Sequence, residues 1–324
     1  FEIGEKNRLY ISGYLGRDAL KSSSFGFNWG NKTATVRWLH VFSPKLFSNT
    51  SVIYNDYNYN TEADFDFSFN LKAGITGRTF KQRFTYYAHP NHTLSFGAEL
   101  NDYVFKPGSL ELVSVDAEPQ SFSVSEKEGL ESAFYLANEQ KVGSLLSLGY
   151  GLRVSNFVRF GPSTEYSFLA NGDINDSITY ADGEQFSPFW NIEPRVNVTL
   201  VLNENTSLKA GYNRMAQYIH LLQNATAGTP VDFWIASSPN VKPQIGDQVS
   251  VGFFRNFINH QYQFSIEAYY KTMQNQIDYK TGASLVLNDM VESELLYGDG
   301  KAYGTELLFE KKSGKLTGWV SYTL

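Results

Sequence analysis

Hydrophobic and polar residues alternate with a period of two along most of this chain. In Leu145–Phe160 the two faces are Leu146, Leu148, Tyr150, Leu152 and Val154 on one side and Ser147, Gly149, Gly151, Arg153 and Ser155 on the other. Such alternation is typical of a β-strand that has one apolar face. The pattern predicts an all-β protein made of antiparallel strands.

The same template predicts about thirteen strands along the chain. They are Arg8–Arg17, Ser24–Phe42, Thr50–Tyr59, Asp64–Ala88, Thr93–Phe105, Glu128–Lys141, Leu145–Phe160, Pro188–Leu202, Ser207–Asn213, Val249–Phe257, Tyr262–Met273, Ala302–Glu310 and Leu316–Leu324. In the second strand the apolar residues change from odd to even positions between Trp29 and Ala34. This change predicts a β-bulge near Gly30–Asn31.

Short and long connections alternate between these strands. Six are short: Ser43–Asn49, His89–His92, Gln140–Ser144, Asn203–Thr206, Ile258–Gln261 and Lys311–Lys315. The connections between them are mostly long, and the longest are Lys106–Ser125, Gly161–Ser187, Arg214–Gln248 and Tyr279–Gly300. Short turns on one rim and long loops on the other are typical of a transmembrane β-barrel. A half-exposed sheet of a soluble protein is the alternative for any single strand.

Five charged residues within the strands fall on the face opposite the apolar one. They are Arg153, Glu193, Arg195, Glu267 and Glu306. This placement predicts a wet interior, with these residues forming the lumen wall or contacting a plug rather than making a specific site. An odd strand number and an end at Leu324 within an alternating segment predict that the chain is part of a larger barrel, because open edges are not tolerated in lipid.

Composition agrees with a membrane barrel and excludes several other classes. The 16% aromatic content, with 21 Tyr and 25 Phe, favours strands and membrane interfaces. Apolar runs are too short for a transmembrane helix. A net charge of −6 argues against nucleic acid as a partner, and the absence of cysteine excludes disulfides and thiolate metal sites. The start at Phe1, without Met, predicts a processed or excised piece.

The stretch Tyr212–Gln248 departs from the period of two. Its apolar residues Met215, Tyr218, Ile219 and Leu222 are spaced i, i+3, i+4 and i+7. This spacing predicts a short helix over Arg214–Gln223, capped by Asn213 and packed through Met215, Ile219 and Leu222. The glycine and prolines that follow (Gly228, Pro230, Pro239 and Pro243) predict no further regular element.

This stretch also supplies the candidate ligand-binding residues. They are Arg214, Gln217, Tyr218 and His220, with Asp232 and Trp234 at the far end of the loop. The alternative is a structural loop packed against the barrel wall. The HPNH run at 89–92 has a metal-like spacing, but it lies in a turn and we expect no metal there. Nucleophile-elbow, phosphate-loop and zinc-protease motifs do not occur, so we predict no catalytic residues, no cofactor and no enzyme activity.

Four segments carry a resemblance to one family. The run YNRMAQYIHLLQNATAGTPVDFWIASSPNVKPQIGDQVSVGF resembles the barrel of TonB-dependent outer-membrane receptors, of the type with a carboxypeptidase-regulatory-like N-terminal domain. Three further segments resemble parts of the same family and occur in the same order as in that family: NRLYISGYLGRD, FTYYAHPNHTLSFGAEL and GKAYGTELLFEKKSGKLTGWVSYTL. The resemblance implies a transmembrane antiparallel barrel of roughly 22 strands, of which residues 1–324 would form part of one domain.

The resemblance also implies a function. Such receptors lie in the Gram-negative outer membrane and import a scarce ligand, a siderophore, cobalamin, oligosaccharide or peptide, with energy from the TonB complex. The resemblance leads us to expect the plug, the N-terminal domain and the TonB-contacting segment outside these 324 residues. Expected partners are outer-membrane lipid, the TonB complex and the ligand, with a surface lipoprotein as a further candidate. The alternative function is a passive porin or a surface adhesion barrel.

Overall fold

A computed structural model of the protein describes residues 1–64, 67–114, 117–169, 173–223, 232–285 and 287–324. Within these ranges fourteen strands form one antiparallel sheet, and two separate hairpins lie outside it. No helix in the described ranges is long and apolar enough to cross a membrane.

The eighteen strands are numbered in chain order. They are β1 Asn7–Lys21, β2 Phe25–Ser43, β3 Leu46–Asp64, β4 Phe67–His89, β5 His92–Ser114, β6 Ala117–Ser123, β7 Lys127–Val142, β8 Leu146–Phe160, β9 Ser163–Phe168, β10 Ile174–Tyr180, β11 Gln185–Asn203, β12 Thr206–Gln217, β13 Ile219–Gln223, β14 Asp232–Ala236, β15 Gln244–Phe257, β16 Tyr262–Tyr279, β17 Leu295–Lys311 and β18 Gly318–Thr323. A 3-10 helix, Val291–Glu294, precedes β17.

The main sheet is a meander in which thirteen strands pair with their neighbours in chain order. These strands correspond in order to the thirteen that the alternation predicts. Strand β6 pairs only with the end of β5, and the hairpins β9–β10 and β13–β14 lie in long connections. Because successive strands are antiparallel, every second connection lies on the same rim. The four long connections therefore share one rim and the six short turns share the other, as predicted.

The two faces of the sheet differ in chemistry. Even-numbered positions of β2–β11 carry exposed apolar side chains, among them Val52, Phe80, Leu100, Phe134, Leu152 and Ile192. The opposite face carries Arg153 and Glu193, which pair directly across β8 and β11. The unbroken register places Arg195 on that face as well. An apolar outer face and a charged inner face confirm the predicted lipid and lumen sides.

Three sequence predictions are wrong. The helix over Arg214–Gln223 is absent, because β12 continues to Gln217 and β13 follows from Ile219. Regular structure also returns after the glycine and prolines, in β14 and again at Gln244. The bulge near Gly30 does not exist, since Gly30 pairs with Arg17 on one side and Asn58 on the other without a register shift.

The strands also extend beyond their predicted ends on the long-loop rim. Both β4 and β5 have 23 residues, whereas a tilted strand needs only about 9–11 to cross a bilayer. Their upper halves therefore stand above the membrane. There the inner face is covered by the chain's own loops, and these contacts form the buried core of the molecule.

Candidate functional site

A network of charges occupies the inner wall at the centre of the sheet. The Arg153 guanidinium contacts three carboxylates: Glu131 at 2.8 Å, Glu193 at 3.3 Å and Glu99 at 3.5 Å. Lys81 contacts Glu99 at 3.0 Å. Two cations against three carboxylates leave the network with one excess negative charge when all five groups are ionised.

The hydroxyl of Tyr218 joins this network to the connection between β12 and β13. The Ser155 hydroxyl donates to Glu193 Oε1 at 2.7 Å, and Tyr218 Oη lies 2.8 Å from Ser155 Oγ. Because a serine hydroxyl has one proton, Tyr218 is the donor in the second bond. Asn191 Nδ2 donates to the same phenol oxygen at 2.9 Å. Four side chains thus link the loop to the wall.

The Tyr218 ring is fixed by a small apolar cluster above the network. It stacks on Phe157 with a centroid separation of 5.3 Å and an interplanar angle of 11°. Phe105 and Ala236 complete the cluster. Gly129 makes room for it, because a Cβ there would lie 2.6 Å from Phe157 Cζ.

A larger apolar cluster covers the inner face of β2–β4 above the first. The wall contributes Phe27, Tyr59, Leu71 and Ala73, and the loops contribute Leu222, Phe233, Val241, Leu285, Val291 and Leu295. We call the residues 218–223, 232–243, 280–285 and 287–295 the loop shelf. Full burial of side chains of this size contributes about 1.5–3 kcal/mol each, so the shelf is held firmly on the wall.

Polar contacts tie three long connections to one another. Glu292 of the 3-10 helix accepts from Ser238 Oγ at 2.9 Å and from Asn240 Nδ2 at 2.8 Å. Asn240 also donates to the carbonyl of Tyr166 in β9 at 2.8 Å. The β9–β10 hairpin is held to the wall by the buried pair Arg159 and Glu165, 2.9 Å apart. These three long connections therefore form one joined structure.

His220 lies inside the shelf and is 2% exposed. Its Nε2 is 3.1 Å from Ser237 Oγ, and its Nδ1 has no hydrogen-bond partner among the described residues. Burial lowers the pKa of His220 to about 4, so the imidazole is neutral at physiological pH. The side chain acts here as a neutral packing group with one hydrogen bond.

The six predicted ligand residues occupy different environments. Tyr218 and His220 are each 2% exposed. Gln217 is exposed at the end of β12 and donates to the Ile219 carbonyl at 2.7 Å. Trp234 is half-buried and packs against the smaller apolar cluster. The side chain of Asp232 lies outside the described residues.

Arg214 lies on the outer face of the barrel. Within β12 it shares a face with Tyr212, which pairs with the lipid-facing Val196. Its Nε is 4.0 Å from Asp247 Oδ1, and the Tyr212 hydroxyl donates to the same carboxylate oxygen at 2.7 Å. The structure therefore brings Gln217, Tyr218, His220 and Trp234 to the lumen side and separates Arg214 from them.

Sequence reasoning missed several residues of the site. Glu99, Glu131, Ser155 and Asn191 all lie on inner-face positions of strands that the alternation predicts. That alternation assigns them to the lumen but gives no sign that they meet. Within the described residues no group of three or more potential ligands is placed to hold a metal ion. His89 and His92 of the HPNH turn lie with ring centroids 6.2 Å apart.

This sheet, apolar outside and charged inside, with ordered loops on its inner wall, defines an outer-membrane β-barrel protein. A family model described as TonB dependent receptor-like, beta-barrel, matches residues 5–324. The chain therefore belongs to the TonB-dependent receptor family and forms part of its β-barrel. Proteins of this family lie in the outer membrane of Gram-negative bacteria and take up ligands there.

Solved structures of such receptors share the fold. The copper transporter OprC matches with a TM-score of 0.68 at 12% identity over 98% of this chain and 51% of its own. The siderophore receptor PiuA from Acinetobacter baumannii matches with a TM-score of 0.65 at 11% identity, over 100% of this chain and 55% of its own. The ferric-catecholate import receptor Fiu from K12 E. coli matches with a TM-score of 0.63 at 12% identity, over 100% of this chain and 56% of its own.

These matches also show how the length of the chain compares with that of the solved receptors. The 324 residues span about half the length of each of these solved receptors. Identities this low show the fold alone. No curated protein matches the sequence.

Proposed function

We propose that the chain forms the barrel wall and loop shelf of an active-transport receptor that imports a scarce ligand with energy coupled through TonB. Support comes from the family match and from the shelf itself. A passive porin needs a water-filled channel, whereas here long connections pack as an ordered apolar mass on the inner wall. An adhesion barrel has no need of a charged network in the wall below it.

The charged network supports a wall that packs against a plug. Arg153 is paired with three carboxylates, and Glu193 is only 4% exposed. A barrel of this family's width leaks unless its lumen is filled. The excess negative charge at mid-height is suited to a basic group on such a plug. This contact is proposed for a domain outside the present residues.

The ligand surface is proposed to lie on the lumen side of the shelf. Gln217 and Trp234 have accessible surface there, while Tyr218 and His220 hold the shelf in place from within. A flat indole and a carboxamide suit a ligand with both ring and polar groups. Siderophores, cobalamin, oligosaccharides and peptides all fit this description, so the ligand class is left to experiment.

The first experiment separates a receptor from a porin. The purified full-length protein is inserted into planar bilayers and its conductance is measured as purified and again in urea, which releases a plug. A receptor shows closed traces that open only in urea. Stable open channels in the absence of urea contradict the proposal.

The second experiment tests the ligand surface. Uptake of a labelled catecholate siderophore, cyanocobalamin, a maltooligosaccharide and a tripeptide is compared in cells with and without TonB. Gln217→Ala should reduce the TonB-dependent uptake that is found. Arg214→Ala, three residues away on the opposite face, is the matched control and should leave that uptake unchanged. Equal losses in the two variants contradict a lumen-side site at Gln217.

A further inference from the structure

A groove of about 660 Å³ lies on the outer surface of β1–β5 near the long-loop rim. Its lining includes four cationic side chains, Arg17, Lys32, Lys72 and Lys106, and one carboxylate, Glu126. Carboxamides and hydroxyls fill the spaces between the charges, from Asn28, Asn58, Asn60, Ser109, Ser123 and Ser125.

Register places these cations on the membrane side of the wall rather than the lumen side. On β2, Lys32 is two residues from Ala34, which pairs with the outward-facing Tyr54 of β3. On β4, Lys72 shares the face of the outward Phe80, with no register shift between them in the pairing with β3. On β5, Lys106 lies on the same face. On β1, Arg17 pairs with Gly30 of β2, which in turn pairs with Asn58 of β3.

The cations of the groove are poorly neutralised by the protein. Among the described residues, only Lys72 has a carboxylate within 4.0 Å, Glu111 at 3.9 Å. Arg17 donates to the Asn28 amide oxygen at 3.1 Å and forms no ion pair. Asp56 lies opposite Lys32 in the strand register, but its carboxylate accepts hydrogen bonds from Asn58 at 2.8 Å, Tyr54 at 3.3 Å and Thr76 at 3.5 Å. Unpaired cations in a groove favour an anionic occupant.

The lower end of the groove lies at the height of the lipid headgroups, whereas Lys106 and Lys72, in register with Asn58 and Asn60, lie about 10 and about 15 Å above the level of Tyr54. Tyr54 is the last aromatic residue of the outer face on β3, and Lys32 pairs with Asp56, two residues higher. Two residues advance about 7 Å along a strand, or about 5 Å in height at the usual barrel tilt. Arg17 lies another two residues up. The headgroup region of a bilayer leaflet is about 5–8 Å thick, so both cations lie within it or just above it.

We propose that this groove binds the phosphorylated sugar headgroup of an outer-leaflet glycolipid. Phosphate accepts charge-assisted hydrogen bonds from arginine and lysine, and sugar hydroxyls exchange hydrogen bonds with the carboxamides and serines between them. A free phosphate ion would not need a site on the lipid-facing side at this height. The site is independent of ligand import, so its failure would leave the transport proposal standing.

The test measures binding of fluorescent diphosphoryl lipid A to the full-length protein in detergent. A triple variant, Lys32→Gln with Lys72→Gln and Lys106→Gln, removes three groove charges. The control triple, Lys45→Gln with Lys141→Gln and Lys315→Gln, removes three exposed charges on the short-turn rim. The groove triple should bind about a hundredfold more weakly, and the control triple should bind as the parent does.

Two competition arms identify the chemistry recognised. Monophosphoryl lipid A should compete more weakly than the diphosphoryl form, and inorganic phosphate should compete only at far higher concentration. Equal affinities of the two triples overturn the proposal, and so does displacement by phosphate as readily as by lipid. If the groove triple loses its heat-modifiable migration, Lys32→Gln and Lys106→Gln are measured singly, each with an expected loss of about fivefold.

Discussion

Acidification should release the β13–β14 hairpin from the barrel wall, because His220 is buried inside it as a neutral imidazole. In the attached hairpin the pKa of His220 is lowered from 6.5 to about 4. A detached hairpin exposes the ring and restores the ordinary value. Between these two pKa values the detached state binds the proton and the attached state does not.

The sign and size of the effect follow from this difference. Above about pH 6.5 both states are neutral at this group, so the free energy of detachment does not depend on its titration. As the pH falls below that value, attachment loses about 1.4 kcal/mol per pH unit, until the loss reaches about 3 kcal/mol near pH 4. At about pH 5 the loss is about 2 kcal/mol, which raises the detached population roughly thirtyfold.

Hydrogen exchange measured by mass spectrometry reports this opening directly. The full-length protein in lipid nanodiscs is compared at about pH 7.5 and about pH 5, after correction for the intrinsic exchange rate, and protection in Ile219–Leu222 should fall roughly thirtyfold. His220→Gln keeps a hydrogen-bonding group beside Ser237 but removes the titration, so its protection should depend far less on pH. His260→Gln, in an exposed turn on the opposite rim, should behave as the parent does. An unchanged pH response in the His220 variant refutes the reasoning.

Three further substitutions test the wall and its connection to the shelf. Arg153→Met leaves the buried Glu193 carboxylate without its cation and should cost about 3–5 kcal/mol, seen as a lower urea midpoint of barrel unfolding; an unchanged midpoint would show that the network does not stabilise the wall. Tyr218→Phe keeps the stacked ring but removes the bond to Ser155, so β13 should exchange faster by the equivalent of about 1–3 kcal/mol while the urea midpoint stays constant. Leu152→Arg places a charge in lipid between the midplane and the interface and should lower the free energy of folding into vesicles by about 1–3 kcal/mol; no loss would contradict a lipid-facing position.

The membrane-spanning half of the fold was predictable from sequence because lipid and water impose opposite chemistry on alternate residues. All thirteen sheet neighbours were found in order on this basis. The strand ends above the membrane were not, since both faces there meet protein or water. The β5 residues Ser109–Ser114, for instance, pair with β6 in a segment where sequence reasoning saw only a loop.

The candidate site was only partly predictable. The stretch from Tyr212 stood out; Tyr218 and Trp234 do lie where the loop meets the wall, and His220 is buried inside the loop shelf. The helical spacing was misleading because a short apolar run fits either period. The period that holds is two, since Tyr218, His220 and Leu222 are all buried. Their partners, such as Glu193 and Phe27, are distant in sequence, so the burial depth could not be inferred.

The change of parity that led to the wrong prediction of a bulge in β2 has a physical cause, and the same cause applies to the neighbouring strands. At membrane level the apolar residues take even positions, such as Val36 and Phe80, because that face meets lipid. Above the membrane they take odd positions, such as Phe27 and Leu71, because there the inner face packs against the loop shelf. The backbone register is continuous across the change in β2–β4.

The change of parity therefore marks a boundary of environment rather than a break in the strand. It occurs between Trp29 and Ala34 in β2, and in β8 between Val154 and Phe157. Because tilted strands put hydrogen-bonded neighbours about 3 Å apart in height, the switch points of successive strands shift along the register while marking one membrane level. That level is where Tyr54 meets Asp56 and Tyr212 meets Asp247 on the outer face. A strand whose hydrophobic parity inverts without a bulge is thus one that leaves the bilayer and enters a loop-filled vestibule, and the inversion marks the membrane edge once the register shows that no bulge is present.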